Sequence, residues 1–343
     1  MAYTTIDDPE LYFQVKLYAG NAGAGTSNTQ AITLDGSEDM SPDMVYIKAR
    51  DGVNNGEIFD TVRGVYKYIS TNSAGQENTA FTDNLTAFNS DGFTLGVNTG
   101  DDINDTGKNY VAWCWVKSAT VGLDIVTYTG NATARTISHS LSAVPSVMWV
   151  KNLSPGDVDW RVYHHKNTAA PETDYLILNT TAATADDATA FNDVAPTSSV
   201  FSVGTSDQSN GNTDSMMAFL FAEKQGFSKF GSFIGNGNAD GPMVYTGFSP
   251  AYVVVKNAGG DEAWNVWNNK TPGYNVANKN LQPNSTVAEQ TSSAGVKEID
   301  FLSNGFKIRG SNTELNQSGN THIYMAFAEA PLVNSNGVPC TAR

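Results

Sequence analysis

"YTGNATARTISHSLSAVPSVMWVKN" runs from Tyr128 to Asn152, and "FIGNGNADGPMVYTGFSPAYVVVKN" runs from Phe233 to Asn257. The two stretches align without a gap over 25 residues, sharing Gly-Asn near the start and Pro and Val-Lys-Asn near the end. Internal self-similarity of this kind sets an architecture before any local reading does. Outward from this pair, four landmarks recur in one order. A Gly-Asn turn stands at Gly20-Asn21, Gly130-Asn131 and Gly235-Asn236. A proline followed by an apolar run ending in lysine appears as "PDMVYIK" (42–48), "PSVMWVKN" (145–152) and "PAYVVVKN" (250–257). A Phe-centred run ending in glycine appears as "SDGFTLG" (90–96), "SSVFSVG" (198–204) and "SNGFKIRG" (303–310). An aromatic closing run appears as "YVAWCW" (110–115), "MMAFLFAE" (216–223) and "YMAFAE" (324–329). Offsets between copies stay within 103 to 110 residues, so the chain reads as three divergent copies of one unit.

Each landmark has the composition of a strand: β-branched and aromatic, five to seven residues long, bounded by turn residues. The Pro…Lys runs are continuously apolar, which predicts strands buried on both faces. "DWRVYHH" (159–165) and "DYLILNT" (174–180) read as further strands. "EIFDTVRGVYKYIS" (57–70) has helical apolar spacing, but the aligned segments contain Pro171 and Pro272. A proline inside a helix costs about 3 kcal/mol, so this segment is expected to be strand, turn at Arg63-Gly64, strand. The expected fold is all-β, with three tandem antiparallel β-sandwich or jelly-roll-like repeats of about 105–110 residues each. The expected divisions are 1–117, with an N-terminal strap and a longer loop at 23–41; 118–224; and 225–343, with a C-terminal tail. Linkers between copies are nearly absent, so the units are expected to pack rigidly and to imitate the symmetry of a three-subunit ring.

Composition narrows the function. The 343 residues carry a net charge of −15, and only 16% are charged. No Lys/Arg cluster offers the basic stripe that nucleic acid requires, and an anionic membrane surface is disfavoured for the same reason. The 34 asparagines and 36 aromatic residues indicate a folded chain with many turns and a polar, uncharged surface. No apolar run approaches the length of a membrane span, and the first residues have no signal-peptide pattern. Cys114, inside an apolar run, is expected buried and unpaired; Cys340 lies near the end. Two such distant cysteines form neither a disulfide framework nor a metal knuckle.

The wording "TYTGN…HSL…VPSVMWVKN", then "FAEKQGFSKFGSFIGNGNADGP", then "DFLSNGFKIRG" and "IYMAFAEAP" resembles a repeat domain of unknown function found in tail-fibre-like and other virion structural proteins of tailed bacteriophages, marine ones especially. The likeness covers nearly the whole chain. It implies a virion component synthesised in the host cytoplasm, and it brings no catalytic or binding residues with it.

Candidate sites are few. His139, His164, His165 and His322 sit in no nucleophile motif. His164 and His165, adjacent on a strand, are expected to point to opposite faces, where they cannot share a metal. "GNGNADG" (235–241) and "TGDDINDTG" (99–107) have oxygen-rich loops without a calcium-site spacing and read as turns. The glycines at 20–25 precede no helix that would hold a phosphate. Alternation assigns Trp160 and Trp264 to the core, and makes Tyr163 and Trp267 the outward aromatics. Tyr163, Trp267 and His164 are therefore the expected contacts with a ligand or partner. The functional expectation is a non-enzymatic tail fibre or spike-like appendage that binds the host surface, with a host glycan as one candidate partner, or neighbouring virion proteins. It has no cofactor, no metal, and a homotrimer as one candidate assembly. A capsid decoration protein and a glycan depolymerase are the alternatives.

Overall fold

The computed structural model describes residues 3–22, 29–97 and 103–340. The first unit holds β1 (Phe13–Ala19), β2 (Gln30–Ile32), β3 (Met44–Ala49), β4 (Gly56–Asp60), β5 (Ile69–Ser70), β6 (Leu85–Phe88), β7 (Phe93–Leu95) and β8 (Asn109–Trp115). The second holds β9 (Leu123–Thr129), β10 (Arg135–Ser138), β11 (Val147–Asn152), β12 (Arg161–His164), β13 (Asp174–Tyr175), β14 (Ala185–Asp186), β15 (Val200–Val203) and β16 (Ser215–Phe221). The third holds β17 (Ser228–Ile234), β18 (Met243–Tyr245), β19 (Phe248–Asn257), β20 (Asn265–Asn268), β21 (Lys279–Asn280), β22 (Gln290–Thr291), β23 (Ile299–Leu302), β24 (Gly305–Ile308) and β25 (Thr321–Pro331). Single-turn helices α1 (Ala188–Phe191), α2 (Asp207–Asn210) and α3 (Thr313–Asn316) cap loops in the second and third units.

The protein is all-β, and its pairings are antiparallel apart from two isolated bridges, Gly20 with Thr106 and Ala22 with Asp105. Three main sheets share one strand order: β1-β8-β3-β4, extended by β5; β9-β16-β11-β12; and β17-β25-β19-β20. Their registers also correspond. The row Val15–Trp113–Tyr46–Ile58 in the first sheet has counterparts in Ile125–Phe219–Trp149–Val162 and Phe230–Met325–Val254–Val266. All twelve side chains enter one common core in which the inner faces of the three sheets meet. The sequence landmarks thus mark strands at equivalent sheet positions.

The outer face of each main sheet packs on a smaller sheet: β2-β7-β6, β10-β15 and β18-β24-β23. Each pair encloses a core of its own, around Phe93 and Cys114 in the first, Phe201 and Tyr163 in the second, and Phe306 and Trp267 in the third. Every residue of β3, β11 and β19 is buried for this reason. A strand covered on both faces has no need of polar alternation.

Residues 57–70 form strand, turn and strand as expected, with Gly64 at φ +89° in the turn. The expected strand at 174–180 is shorter: only Asp174–Tyr175 pair as β13, and Leu176 adds one bridge to Val162. Part of the longer first-unit loop, residues 23–28, lies outside the described residues, as does the 99–102 part of the acidic loop at 99–107. The stretch after β2 folds back on β1, where Gln14 Oε1 accepts from the Gly36 amide at 2.9 Å and Gln14 Nε2 donates to the Glu38 carbonyl at 3.0 Å. Cys114 is buried and free, with its thiol pKa pushed up by burial.

Candidate functional site

Tyr163 and Trp267 do not face solvent. They alternate correctly with Trp160 and Trp264, but the face opposite the common core is covered by a second layer, so alternation separates two cores rather than core from water. Tyr163 packs edge-on against Phe191, and burial pushes its phenol up to about 12. Trp267 lies fully buried beneath the third small sheet. His164 is buried as well, and its Nε2 donates to the Tyr324 carbonyl at 3.1 Å. His165 does not point away from His164: β12 ends at His164, the chain turns, and His165 Nε2 meets the Phe230 carbonyl at 2.7 Å. Both rings therefore lean on the third unit, from the second. None of the three expected contact residues reaches the surface.

What these residues and their neighbours build is a set of seams. Lys48, Lys151 and Lys256 occupy the same place at the ends of β3, β11 and β19, and each sends its ammonium into the adjacent unit. Lys151 Nζ donates to Ala74 O at 2.6 Å and Val158 O at 2.5 Å. Lys256 Nζ donates to Thr181 O at 3.0 Å, and to the carbonyls of Asn257, Gly260 and Glu262 at 2.8–2.9 Å. Lys48 Nζ donates to Ser285 O at 2.7 Å and Asn54 O at 3.2 Å. Burial pushes all three amines down to about 8, with nearby carboxylates opposing the shift at Lys151 and Lys256. The second unit thus grips the first, the third grips the second, and the first grips the third.

Backbone bonds follow the same cycle: Glu77 N to Leu153 O at 3.2 Å, Thr184 N to Ala258 O at 2.9 Å, and Glu289 N to Arg50 O at 2.9 Å. Trp160 Nε1 donates to Ser70 O at 3.1 Å and Trp264 Nε1 to Ile177 O at 3.0 Å. The first unit has Gly56 where its sisters have these tryptophans. A Cβ there would stand 2.6 Å from the Tyr46 hydroxyl. Tyr46 instead contacts Thr71 Oγ1 at 3.1 Å, and Thr71 Oγ1 donates to Pro283 O at 2.8 Å, which crosses the third seam. That seam also carries a bidentate Arg50–Glu289 pair at 2.8 and 3.0 Å and a Lys270–Asp35 pair at 3.2 Å.

Three buried asparagines explain the Gly-Asn landmark. Asn104, Asn210 and Asn316 each accept from the amide of the Asn in that landmark and return their own Nδ2 to its side-chain carbonyl. Each Nδ2 also donates to the glycine that ends the Phe-centred strand: Gly96, Gly204 or Gly310. The landmark glycine is required by close approach, since a Cβ at Gly130 or Gly235 would collide with the backbone just after the buried asparagine. The sequence held a signal for this set, a spacing of 106 residues repeated twice (210 − 104 and 316 − 210).

At the position shared by Glu57, Arg161 and Asn265, Arg161 is an exception. It is buried, its Nε and Nη1 have no partner, and its guanidinium lies over the Tyr175 ring at 4.2 Å. Among the described residues no three His, Cys, Asp or Glu side chains gather as a metal site, and no helix is long and apolar enough to cross a membrane.

At the surface, the seam between the first two units opens into a cleft of about 380 Å³, walled by Val62, Lys67 and Glu77 on one side and by Thr127, Thr129 and Ser215 on the other. A second cleft of about 360 Å³ shares Glu77 and continues past Tyr68, Gln76 and Thr79 to Asn55. Sequence reasoning missed both, because the walls of the first come from separate units and those of the second, all from the first unit, are residue types common on any surface.

The arrangement defines an all-β protein whose buried polar groups fasten sheet to sheet and whose accessible chemistry lies in clefts and loops. The chain belongs to the family described as "Domain of unknown function (DUF7483)", which matches residues 8–331. No curated protein and no solved structure matches it.

Proposed function

We propose that this chain is a non-enzymatic structural component of a tailed-phage particle, a tail fibre or spike-like appendage that works by surface contact with the host or with neighbouring virion proteins. The phage assignment rests on the motif resemblance quoted above. The observation that supports a structural role is the cycle of three seams. The lysines, tryptophans and His164, residue types that often serve catalysis or recognition, are here bonded to carbonyls across the seams, which makes a rigid body for presenting loops. The reading assigns no cofactor and no chemical step.

The test is mass spectrometry and cryo-electron microscopy of purified particles of a phage that encodes the chain. The reading expects the protein in stoichiometric amount, with its three-sheet density on the tail. Density on the head shell would make it a decoration protein, and absence from the particle would overturn the proposal.

A further inference from the structure

We infer that the paired clefts along residues 62–80 form one groove that binds a neutral oligosaccharide; the inference rests on the proposed surface-contact role. Elsewhere in the molecule, side-chain polar groups in the interior are largely consumed by its own backbone, as with Lys256 and its four carbonyls. Along this groove the reverse holds. Lys67, Thr127, Thr129, Gln76 and Thr79 line it with side-chain groups engaged in no hydrogen bond or ion pair. Glu77 stands where the two clefts join, with Oε1 at a long 3.5 Å from Arg63 Nη1 and Oε2 unengaged.

The chemistry of these walls selects the ligand. Hydroxyls, an amide, one ammonium and one carboxylate supply donors and acceptors at short intervals, which is what a chain of vicinal hydroxyls requires. The charges of Arg63 and Lys67 are offset by those of Asp60 and Glu77, both of which pair with Arg63, so the groove offers no net attraction to a polyanion. The exposed Val62 and the half-buried Tyr128 give the first cleft an apolar surface for the C–H faces of pyranoses. Each volume falls in the usual range of ligand clefts, about 300–1,000 Å³, and two in line accommodate more than one sugar. The groove is specific to one seam. The residues aligned with Lys67 are Asp174 and Lys279, both of which belong to short hairpins, β13–β14 and β21–β22.

The experiment applies the full chain to a printed array of neutral and acidic oligosaccharides, then titrates any neutral one bound. At least one neutral oligosaccharide is expected to bind. Filling the first cleft with Thr127→Trp, or the second with Thr79→Trp, should weaken it tenfold or more at an unchanged unfolding midpoint. Both positions are exposed, and Lys67→Ala and Glu77→Gln provide smaller changes that should each weaken binding about three- to tenfold. Tyr274→Ala, at an exposed aromatic outside the groove, should leave it unchanged. Binding of no neutral glycan, of acidic glycans only, or with equal strength in the filled variants overturns the inference. Particle incorporation is scored separately. A chain found in particles that binds no glycan ends this inference and leaves the structural role standing, and a chain that binds glycan but is absent from particles does the opposite.

Discussion

Lys256 Nζ lies 3.0 Å from the carbonyl oxygen of Thr181, a residue of the preceding unit, and three further carbonyls of its own unit complete its shell. The ammonium is therefore a hub that joins two sheets by satisfying acceptors on both. Lys256→Met removes the hub and leaves the acceptors dry. The expected cost is about 3–5 kcal/mol, as for breaking a buried charged network. Lys48 has two such acceptors, so Lys48→Met should cost less. Urea unfolding of both variants checks the ranking, and equal costs would show that the number of carbonyls is irrelevant.

His164 gives the fold an acid limit. Burial holds its pKa down to about 3, against 6.5 for the free side chain. Its two bonds need the neutral ring, since Nε2 donates to Tyr324 O and Nδ1 accepts from the Lys166 amide. Below pH 6.5 the unfolded chain takes up a proton that the folded chain refuses. This contribution to stability is thus complete above pH 6.5 and is lost as pH falls toward 3, at about 1.4 kcal/mol per unit. Unfolding midpoints between pH 7 and pH 4.5 should fall more steeply for the parent than for His164→Gln, and parallel profiles would refute the assignment.

Asn316 holds three acceptors with one amide group: Asn236 Oδ1, Asn238 O and Gly310 O, at 2.8–2.9 Å. Asn316→Ala strips all three, and also removes the acceptor for the Asn236 amide. The expected loss is about 2–4 kcal/mol, since unmade buried bonds cost about 1–3 kcal/mol each and some acceptors regain water. Hydrogen exchange should locate the loosening at the 235–241 turn. An exchange pattern like the parent's would mean that the turn holds without its clamp.

Arg161 should behave in the opposite way. Its guanidinium is buried, with Nε and Nη1 lacking a hydrogen-bond partner and the Tyr175 ring against it, and burial lowers its pKa against the pull of Tyr175, Asp159 and Asp187. Replacing an unpaired buried cation with an apolar side chain of similar volume is often neutral or stabilising. Arg161→Met is expected to leave the unfolding free energy within about 1 kcal/mol of the parent or to raise it. A loss beyond about 3 kcal/mol would show that the guanidinium has a partner that matters.

The strand landmarks were legible because each carries its cause in its own residues. Val-Val-Val-Lys is β-branched and continuously apolar, as a strand buried on both sides must be, while Gly-Asn marks the end of the strand before it rather than a tight turn. The same continuity should have warned that Tyr163 and Trp267 had no open face, since β12 and β20 lie beside strands covered front and back. Alternation along β12 and β20 distinguishes their two faces, but the covering layers, β10-β15 and β18-β24-β23, come from other stretches of the chain and leave no mark on these strands. The lysine that ends each long strand was visible as a pattern, yet its role depends on carbonyls 75 to 237 residues distant. The groove along 62–80 left even less trace, since one of its clefts exists only where two units meet and the other is lined by ordinary surface residues of the first unit.

Two of the three seams are bridged by continuous chain, at 116–122 and 222–227, and the third has only side chains and backbone bonds across it. Asp7 nevertheless accepts from both the amide and the hydroxyl of Ser335, at 2.6 and 2.5 Å, which brings the two outer stretches of the described chain together. Tyr3 likewise donates to Gly247 O at 2.6 Å and Thr4 to Gln225 O at 2.7 Å. The order of the units along the polypeptide is therefore one of three equivalent ways of threading the same body. A circular permutant that joins these stretches through a short linker and opens the chain at 118–120 would have the same three sheets, with the covalent gap moved from one seam to the next.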